Sequence, residues 1–382
     1  MKIRSVEGFL VPPRWLFVKI TTQSGIVGWG EPVVEGKAAT VATCVQEMGS
    51  ALIGHDAGEI EDVFQMLYRG SFYRGGPVLT SAISGIEQAL WDIKGKYHNL
   101  PVYAFLGGKV RDRVEVYRWI GGDHPRDVGA QAREALAQGY HSVKMNGTDE
   151  LKWIDSYDKL DAAVERVAAV REAVGNQLRV AVDFHGRVHK TMAKQLIHEL
   201  EPFRLMFVEE PVLCENEEVF AELARTCHIP IATGERNYTR WGFKNMLMRG
   251  GVDILQPDVS HTGGIWETRK IAAMAEAFDV AVAPHCPLGP IALASCLQVD
   301  FCSPNAIIQE QSLNIHYNVG YDLLKYIKNP EVFHYENGYV HLLREPGLGV
   351  EVDEDYVREM AMKGHDWHNP IWRDADGCVT EW

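Results

Sequence analysis

The sequence predicts an α/β fold: a closed barrel of alternating strands and helices, joined to a smaller α+β domain. Three observations carry this prediction. After Gly107-Gly108, short apolar runs alternate with longer helical stretches, which argues for parallel βαβ units, and eight such runs suggest closure into a barrel. Charged or imidazole side chains end six of these runs (Asp183, Glu209, Glu235, Asp258, His285 and Glu310) at intervals of 23–27 residues, the length of one βα unit. Upstream the order differs, with a strand pair in residues 1–33 followed by helical patterns from 38 to 106.

Taken in chain order, residues 15–22 are rich in β-formers, Gln23-Ser24-Gly25 supplies a turn, and residues 26–31 return as the second strand. Val41, Val45, Met48 and Leu52 then recur at spacings of three or four, as do Ile83, Ile86, Ala89, Leu90 and Ile93, the pattern of helices with one buried face. Phe72-Tyr73-Arg74-Gly75-Gly76-Pro77 interrupts them as a loop. The eight candidate barrel strands are residues 114–120, 142–145, 178–184, 206–209, 230–232, 252–256, 280–284 and 306–308. Beyond residue 320, residues 323–327 read as helical, 339–342 as a strand and 346–352 as a turn-led extension. The last segment, with Trp367, Trp372 and Trp382, is expected to fold back over the first domain. The expected units are 1–110, 111–320 and 321–382.

A chain of 382 residues, 46% hydrophobic and 24% charged, can bury a large core, and no apolar stretch approaches the ~20 residues of a membrane span. The amino terminus lacks the apolar core and cleavage site of a signal peptide, so a cytoplasmic location is expected. Seven cysteines without a Cys-x-x-Cys pair fit reduced thiols better than a disulfide framework or a zinc site. The formal net charge of −14 disfavours nucleic acid and acidic membranes as partners, and an anionic small substrate would need local help from Lys, Arg or a metal ion.

Residues i and i+2 of a strand share a face, so Asp183 and His185 leave their run pointing into one volume. Sites of such barrels lie at the carboxyl ends of the strands. Asp183, Glu209 and Glu235, from three successive strands, form an all-oxygen donor set suited to Mg²⁺, with Mn²⁺ as a substitute. Without a cation they would repel one another and their pKa values would rise. Glu210 should face the other way. Asp258 and His285 end consecutive strands, where a carboxylate can hold an imidazole in one tautomer and raise its basicity; this makes His285 a base. His185 is placed to act as an acid, and Glu310 could donate to a substrate carboxylate if it stays protonated. Each residue also has a blander reading: strand ends approach solvent, a lone His is commonly structural, and Glu209 or Glu235 could pair with Arg236. The repeated interval weighs against that reading for the set.

Asp183-Phe184-His185, Val208-Glu209-Glu210-Pro211, Thr233-Gly234-Glu235-Arg236, Gln256-Pro257-Asp258 and Ala283-Pro284-His285-Cys286-Pro287 resemble the motifs of the enolase superfamily, in its mandelate racemase-like branch. The resemblance implies a modified (β/α) TIM-type barrel with a capping domain built from both chain ends. It also implies one Mg²⁺ per subunit on the three carboxylates, and a Lys or His base, a mechanism general to that superfamily. Phe72 to Pro77, Lys144-Met145-Asn146-Gly147, Asp183 to Arg187, Pro284 to Pro290 and Gln309-Glu310-Gln311-Ser312 look like segments of its acid-sugar dehydratases. By that resemblance His285 removes the C2 proton of a sugar acid, His185 protonates the departing C3 hydroxyl, Asp258 tunes His285, and Glu310 stabilises the intermediate. Lys144 and Asn146 would contact the substrate, and Arg14, Trp15 and Tyr73 would close over the polyol.

Relatives that racemise commonly carry a second Lys in a Lys-x-Lys segment; here that position is Asn146, which lowers the racemase and cycloisomerase readings. With the two imidazoles on opposite sides of the mouth, anti elimination is expected. Dehydration of another aldonate or aldarate, such as gluconate or mannonate, stays open as an alternative. So does a non-catalytic metal-binding protein, whose mark would be loss of the His285/Asp258 pair or of His185. Expected partners are a small acid sugar and further copies of the chain.

Overall fold

The computed structural model describes residues 1–313 and 315–382. Strand β1 (Ile3–Val11) pairs antiparallel with β2 (Trp15–Thr22), and β2 with β3 (Val27–Gly30), so the expected strand pair is part of a three-stranded meander. Helices α1 (Ala38–Ala51), α2 (Ile60–Arg69) and α3 (Pro77–His98) follow. Pro77 opens α3, where its fixed φ and missing N–H cost nothing. Strand β3 and α3 pack backbone to backbone: a Cβ at Gly30 would lie 1.9 Å from the carbonyl oxygen of Gly85.

The expected strand 114–120 is two strands. β4 (Arg113–Glu115) turns away from the barrel and β5 (Arg118–Ile120) opens it, because the intervening Val116 is taken up by a bridge to Gln309. The chain then alternates through α4 (Val128–Ala137), β6 (Ser142–Asn146), α5 (Tyr157–Val174), β7 (Arg179–Asp183), α6 (Lys190–Leu200), β8 (Phe207–Glu209) and α7 (Glu217–Leu223). It continues through β9 (Ile231–Thr233), α8 (Thr239–Arg249), β10 (Ile254–Leu255), α9 (Ile265–Glu276), β11 (Ala281–Val282) and α10 (Pro290–Asp300). Strands β5 to β11 form one sheet in sequence order, every pair parallel.

The eighth expected strand, 306–308, is not a regular strand. It closes the ring through single hydrogen bonds, from Ile307 N to Val282 O (3.0 Å) and from Gln309 N to Glu115 O (2.8 Å). Tyr117, Ala181, Phe207, Ala232, Ile254, Ala283 and Ile308 pack as a separate buried cluster, the filling of a closed barrel. Every residue of α10 is buried, as befits a helix lodged between the barrel and the meander.

Past the barrel, residues 323–326 make one 3₁₀ turn, and β12 (Tyr335–Glu336) and β13 (Tyr339–His341) add to β4 as a small antiparallel sheet. The expected extension 346–352 contributes only the isolated bridges Pro101–Gly347 and Ile327–Val352. Helix α11 (Glu354–Lys363), which the sequence reading did not include, is capped by Asp353 and packs on β1, with Lys19 Nζ 2.5 Å from Glu354 Oε1. Beyond α11 the final segment lies against the first domain, with His365 Nε2 3.1 Å from Trp15 O and Trp367 5.4 Å from the Arg14 guanidinium, and then runs on to the barrel. Trp372 lies 4.5 Å from the Arg187 guanidinium and Trp382 reaches His185, so these aromatic residues cover the barrel mouth. Among the described residues no helix is long and apolar enough to cross a membrane, and all seven cysteines are free.

Candidate active site

The parallel register sets Asp183 at the end of β7 beside Glu209 at the end of β8, and Glu235 follows β9 two residues on. One oxygen from each of the three lies within 4.8 Å of the others. Burial and the neighbouring charges of Asp183, Glu310 and Glu235 push the Glu209 carboxyl well above its ordinary range despite Lys144. Burial, with Glu210 and Asp183, likewise holds Glu235 up at about 7 against the pull of His285. Hard oxygen donors crowded until they resist ionisation are what a divalent cation would relieve, so the residues present fit such an ion.

Glu210 turns away with φ 41° and takes the Arg236 guanidinium, with Arg236 Nε 3.0 Å from its Oε2. Arg236 is thus paired with Glu210 rather than with Glu209 or Glu235, while Glu209 does have a cationic neighbour, Lys144. Lys144, fully buried on β6, lies 2.6 Å from Glu209 Oε1, 2.9 Å from Glu310 Oε1 and 3.7 Å from Asp183 Oδ2, over the face of Trp119.

His285 Nδ1 is 2.8 Å from Asp258 Oδ2, and its Nε2 lies 3.4 Å from Glu235 Oε2 and 3.8 Å from Glu310 Oε2. Burial lowers the affinity of this imidazole for a proton, but Glu235, Glu310 and Asp258 outweigh it and hold the ring well above the ordinary histidine range. Asp258 also accepts from Ser260 N at 2.7 Å and faces His261, which with Asp258 and His285 forms a second cluster of metal-ligating types. His185 adopts φ 54°; its backbone N donates to Asp183 Oδ1 (2.6 Å) and its Nδ1 lies 2.8 Å from Trp382 O. Burial, with Arg187 and Arg236 nearby, pushes this ring down to about 4 despite Asp183.

His185, Glu235, His285, Glu35 and Trp382 border two adjoining hollows of about 210 Å³ and about 40 Å³, and Asp183 and Asn146 line the smaller one. Asn146 Nδ2 donates to Gly122 O (3.2 Å), while its Oδ1 has no partner among the described residues.

Several expectations are corrected. Glu310 is not a protonated donor: burial raises its pKa, but Lys144 and His285 hold it at about 2, and its oxygens accept from Trp119 Nε1 (2.6 Å), Lys144 and Cys286 N (2.8 Å). Lys144 spends its charge on carboxylates rather than facing the hollow. Arg14 is fully buried, donates to Pro287 O (2.8 Å) and pairs with Glu35. Trp15 is core, packed on Phe17 and Tyr326. Tyr73, 81% exposed, faces solvent on its loop. Conversely, Trp382, Glu35, Trp119, His316 and Tyr317 line the hollow without having been singled out for it. Trp119 sits in a run already read as a strand, but the tail position of Trp382 carries no periodic signal.

Residues 12–107 match the mandelate racemase/muconate lactonizing enzyme N-terminal domain, and residues 127–356 match the enolase C-terminal domain-like family. The chain is 56% identical to the D-galactonate dehydratases of Cronobacter sakazakii and Ralstonia pickettii, over 382 residues that cover 100% of each chain. Among solved structures it is similar to a mandelate racemase/muconate lactonizing enzyme-like protein from Roseovarius (TM-score 0.89, 29% identity, 100% of both chains). It is also similar to a member of the enolase superfamily from Salmonella Typhimurium (TM-score 0.87, 30% identity, 94% of this chain and 98% of that one).

Proposed function

This chain belongs to the enolase superfamily, in its mandelate racemase-like branch, and from that membership we propose that it is a D-galactonate dehydratase, a hydro-lyase forming 2-dehydro-3-deoxy-D-galactonate and water. One observation carries the reading: His285, His185, Asp183 and Glu235 line the same hollow, with Asp258 behind His285 and Glu209 within 4.8 Å of the other two carboxylates. The substrate follows from relatives 55–56% identical over their whole length.

His285 is held through Nδ1 by Asp258, and a cation beside Glu235 would offset the carboxylate charge that raises the ring's proton affinity, leaving Nε2 free to take the proton at C2. His185, whose Nδ1 is committed to the main-chain oxygen of Trp382, presents Nε2 to the C3 hydroxyl as it leaves. The negative charge of an arriving sugar acid raises the proton affinity of this otherwise neutral ring, which makes it an acid when one is needed. Asp183, Glu209 and Glu235 would hold a divalent cation, Mg²⁺ in this proposal with Mn²⁺ as substitute, which would supply positive charge against the charge that builds on the substrate carboxylate. At about 4 Å and an effective dielectric of 20, each unit of that charge is worth about 4 kcal/mol. Lys144 adds a fixed positive charge beside the same carboxylates, Glu310 holds Lys144 and the Cys286 amide in place, and the free Oδ1 of Asn146 accepts from a substrate hydroxyl.

A cytoplasmic location and a homo-oligomeric assembly complete the proposal. Its test is a panel of aldonates assayed for 2-keto acid with added Mg²⁺: D-galactonate is dehydrated in preference to gluconate and mannonate, and His285→Asn and His185→Asn abolish turnover. Turnover of D-galactonate by His285→Asn at the rate of the unaltered enzyme would overturn it.

A further inference from the structure

Two carboxylates of the N-terminal region sit on the first turns of two barrel helices. Glu31, just after β3, accepts from Gly289 N (2.6 Å) and Ala292 N (2.9 Å) at the start of α10. Glu87, on α3, accepts from Ile265 N (2.7 Å) and Trp266 N (2.8 Å) at the start of α9. All four amides lack a partner within their helix, and two of them, Ala292 N and Trp266 N, are ones that a helix's own N-cap side chain ordinarily satisfies. Here the N-cap positions are Gly289 and Gly264, which offer no side chain. A Cβ at Gly289 would lie 2.6 Å from Glu31 Oε1, and one at Gly264 would lie 2.1 Å from Glu87 Oε2, so glycine leaves room for the carboxylate from the other region.

The two helices follow directly the loops that carry Asp258 and His285. Further contacts from the same region land on the same loops. Ser84 Oγ accepts from Gly263 N (2.8 Å), Gln88 Nε2 reaches Ser260 Oγ (3.3 Å), and Arg14 donates to Pro287 O (2.8 Å). Gln88 Oε1 also accepts from Glu31 N (2.9 Å), which ties the two anchors together.

We propose that Glu31 and Glu87 are positioning residues for proton abstraction: as N-caps supplied across the domain boundary, they fix the loops that set the Asp258–His285 pair. The proposal rests on the dehydratase reading for its kinetic readout and on the loops themselves for a second one. Both side chains are buried, Glu31 at 0% and Glu87 at 3% exposure, so neither is a surface accident.

The test compares Glu31→Gln and Glu87→Gln with Asp92→Asn, a buried carboxylate of the same region that accepts from Trp29 N and Leu348 N and touches neither loop. Turnover of D-galactonate by the unaltered enzyme tests the dehydratase reading separately. Glu31→Gln and Glu87→Gln lower kcat about tenfold or more, with KM within about twofold and a larger isotope effect with C2-deuterated galactonate, since small misplacements of a base are costly. Asp92→Asn lowers thermal stability and leaves the isotope effect unchanged. Amide exchange, which needs no turnover, quickens at residues 285–292 in Glu31→Gln and at 258–266 in Glu87→Gln, and at neither in Asp92→Asn. Glu31→Asp, which keeps the carboxyl group and shortens the reach, shows the same pattern to a lesser degree and serves if Glu31→Gln does not fold. Variants that lose stability alone, with kcat, isotope effect and loop exchange as in the unaltered enzyme, would overturn the proposal.

Discussion

The main-chain oxygen of Trp382 lies 2.8 Å from Nδ1 of His185, and the two rings meet edge to face at 5.5 Å. A main-chain oxygen only accepts, so the contact fixes the proton on Nδ1 and leaves Nε2 for the substrate.

The tail therefore contributes both a wall and a tautomer, and the two separate experimentally. Trp382→Ala removes the ring and keeps the main-chain oxygen, so KM for D-galactonate rises about tenfold, equivalent to about 1.4 kcal/mol, while kcat changes less. Deleting residue 382 also removes the acceptor and lowers kcat. Steady-state kinetics on both variants check this, and equal, unchanged KM values would count against it.

Lys144 is a buried ammonium shared among Asp183, Glu209 and Glu310. Removing one partner of a buried ion pair typically costs about 3–5 kcal/mol, because the charges left behind have no solvent. Lys144→Met should therefore melt well below the unaltered protein in chelator. It should recover more on addition of Mg²⁺, since the ion then carries the whole neutralising load. Melting curves with and without the ion decide it; an identical Mg²⁺-induced shift in both proteins would contradict the electrostatic account.

Asp300, at the carboxyl end of α10, is buried with neither oxygen partnered among the described residues. Burial raises its pKa from the ordinary 3.8 to about 8. The folded state thus holds a proton that the unfolded chain has released, so stability falls as pH rises between these two values and the loss is complete above about 8. In Asp300→Asn that slope is absent. The difference in Tm, variant minus unaltered protein, should grow from pH 4 to pH 8 and then level off; a difference independent of pH would show that the group ionises normally.

Much of this was readable from the chain because a barrel repeats. Polar residues 23–27 apart at the ends of apolar runs place Asp183, Glu209, Glu235, Asp258 and His285 on one rim whatever the loops between them do. What was not readable depends on contacts between segments distant in sequence. Arg14 and Trp15 looked like residues closing over a ligand, yet one is consumed by Pro287 O and Glu35 and the other by the aromatic core. Whether Glu310 keeps its proton has no local signature, since the Lys144 ammonium that lowers its pKa comes from another strand. The run 114–120 has one composition but two fates, because Val116 is diverted to close the ring with Gln309. Trp382 sits in an aperiodic tail, so nothing in its local pattern announces the imidazole it meets.

In the proposed mechanism a divalent cation on Asp183, Glu209 and Glu235 makes proton abstraction by His285 feasible. The most direct measurement is formation of 2-keto acid from D-galactonate by chelator-stripped enzyme before and after Mg²⁺ is restored, beside a Glu235→Gln variant. The account predicts no product from stripped enzyme, recovery on adding the ion, and no recovery in the variant; full turnover by the stripped enzyme would contradict it.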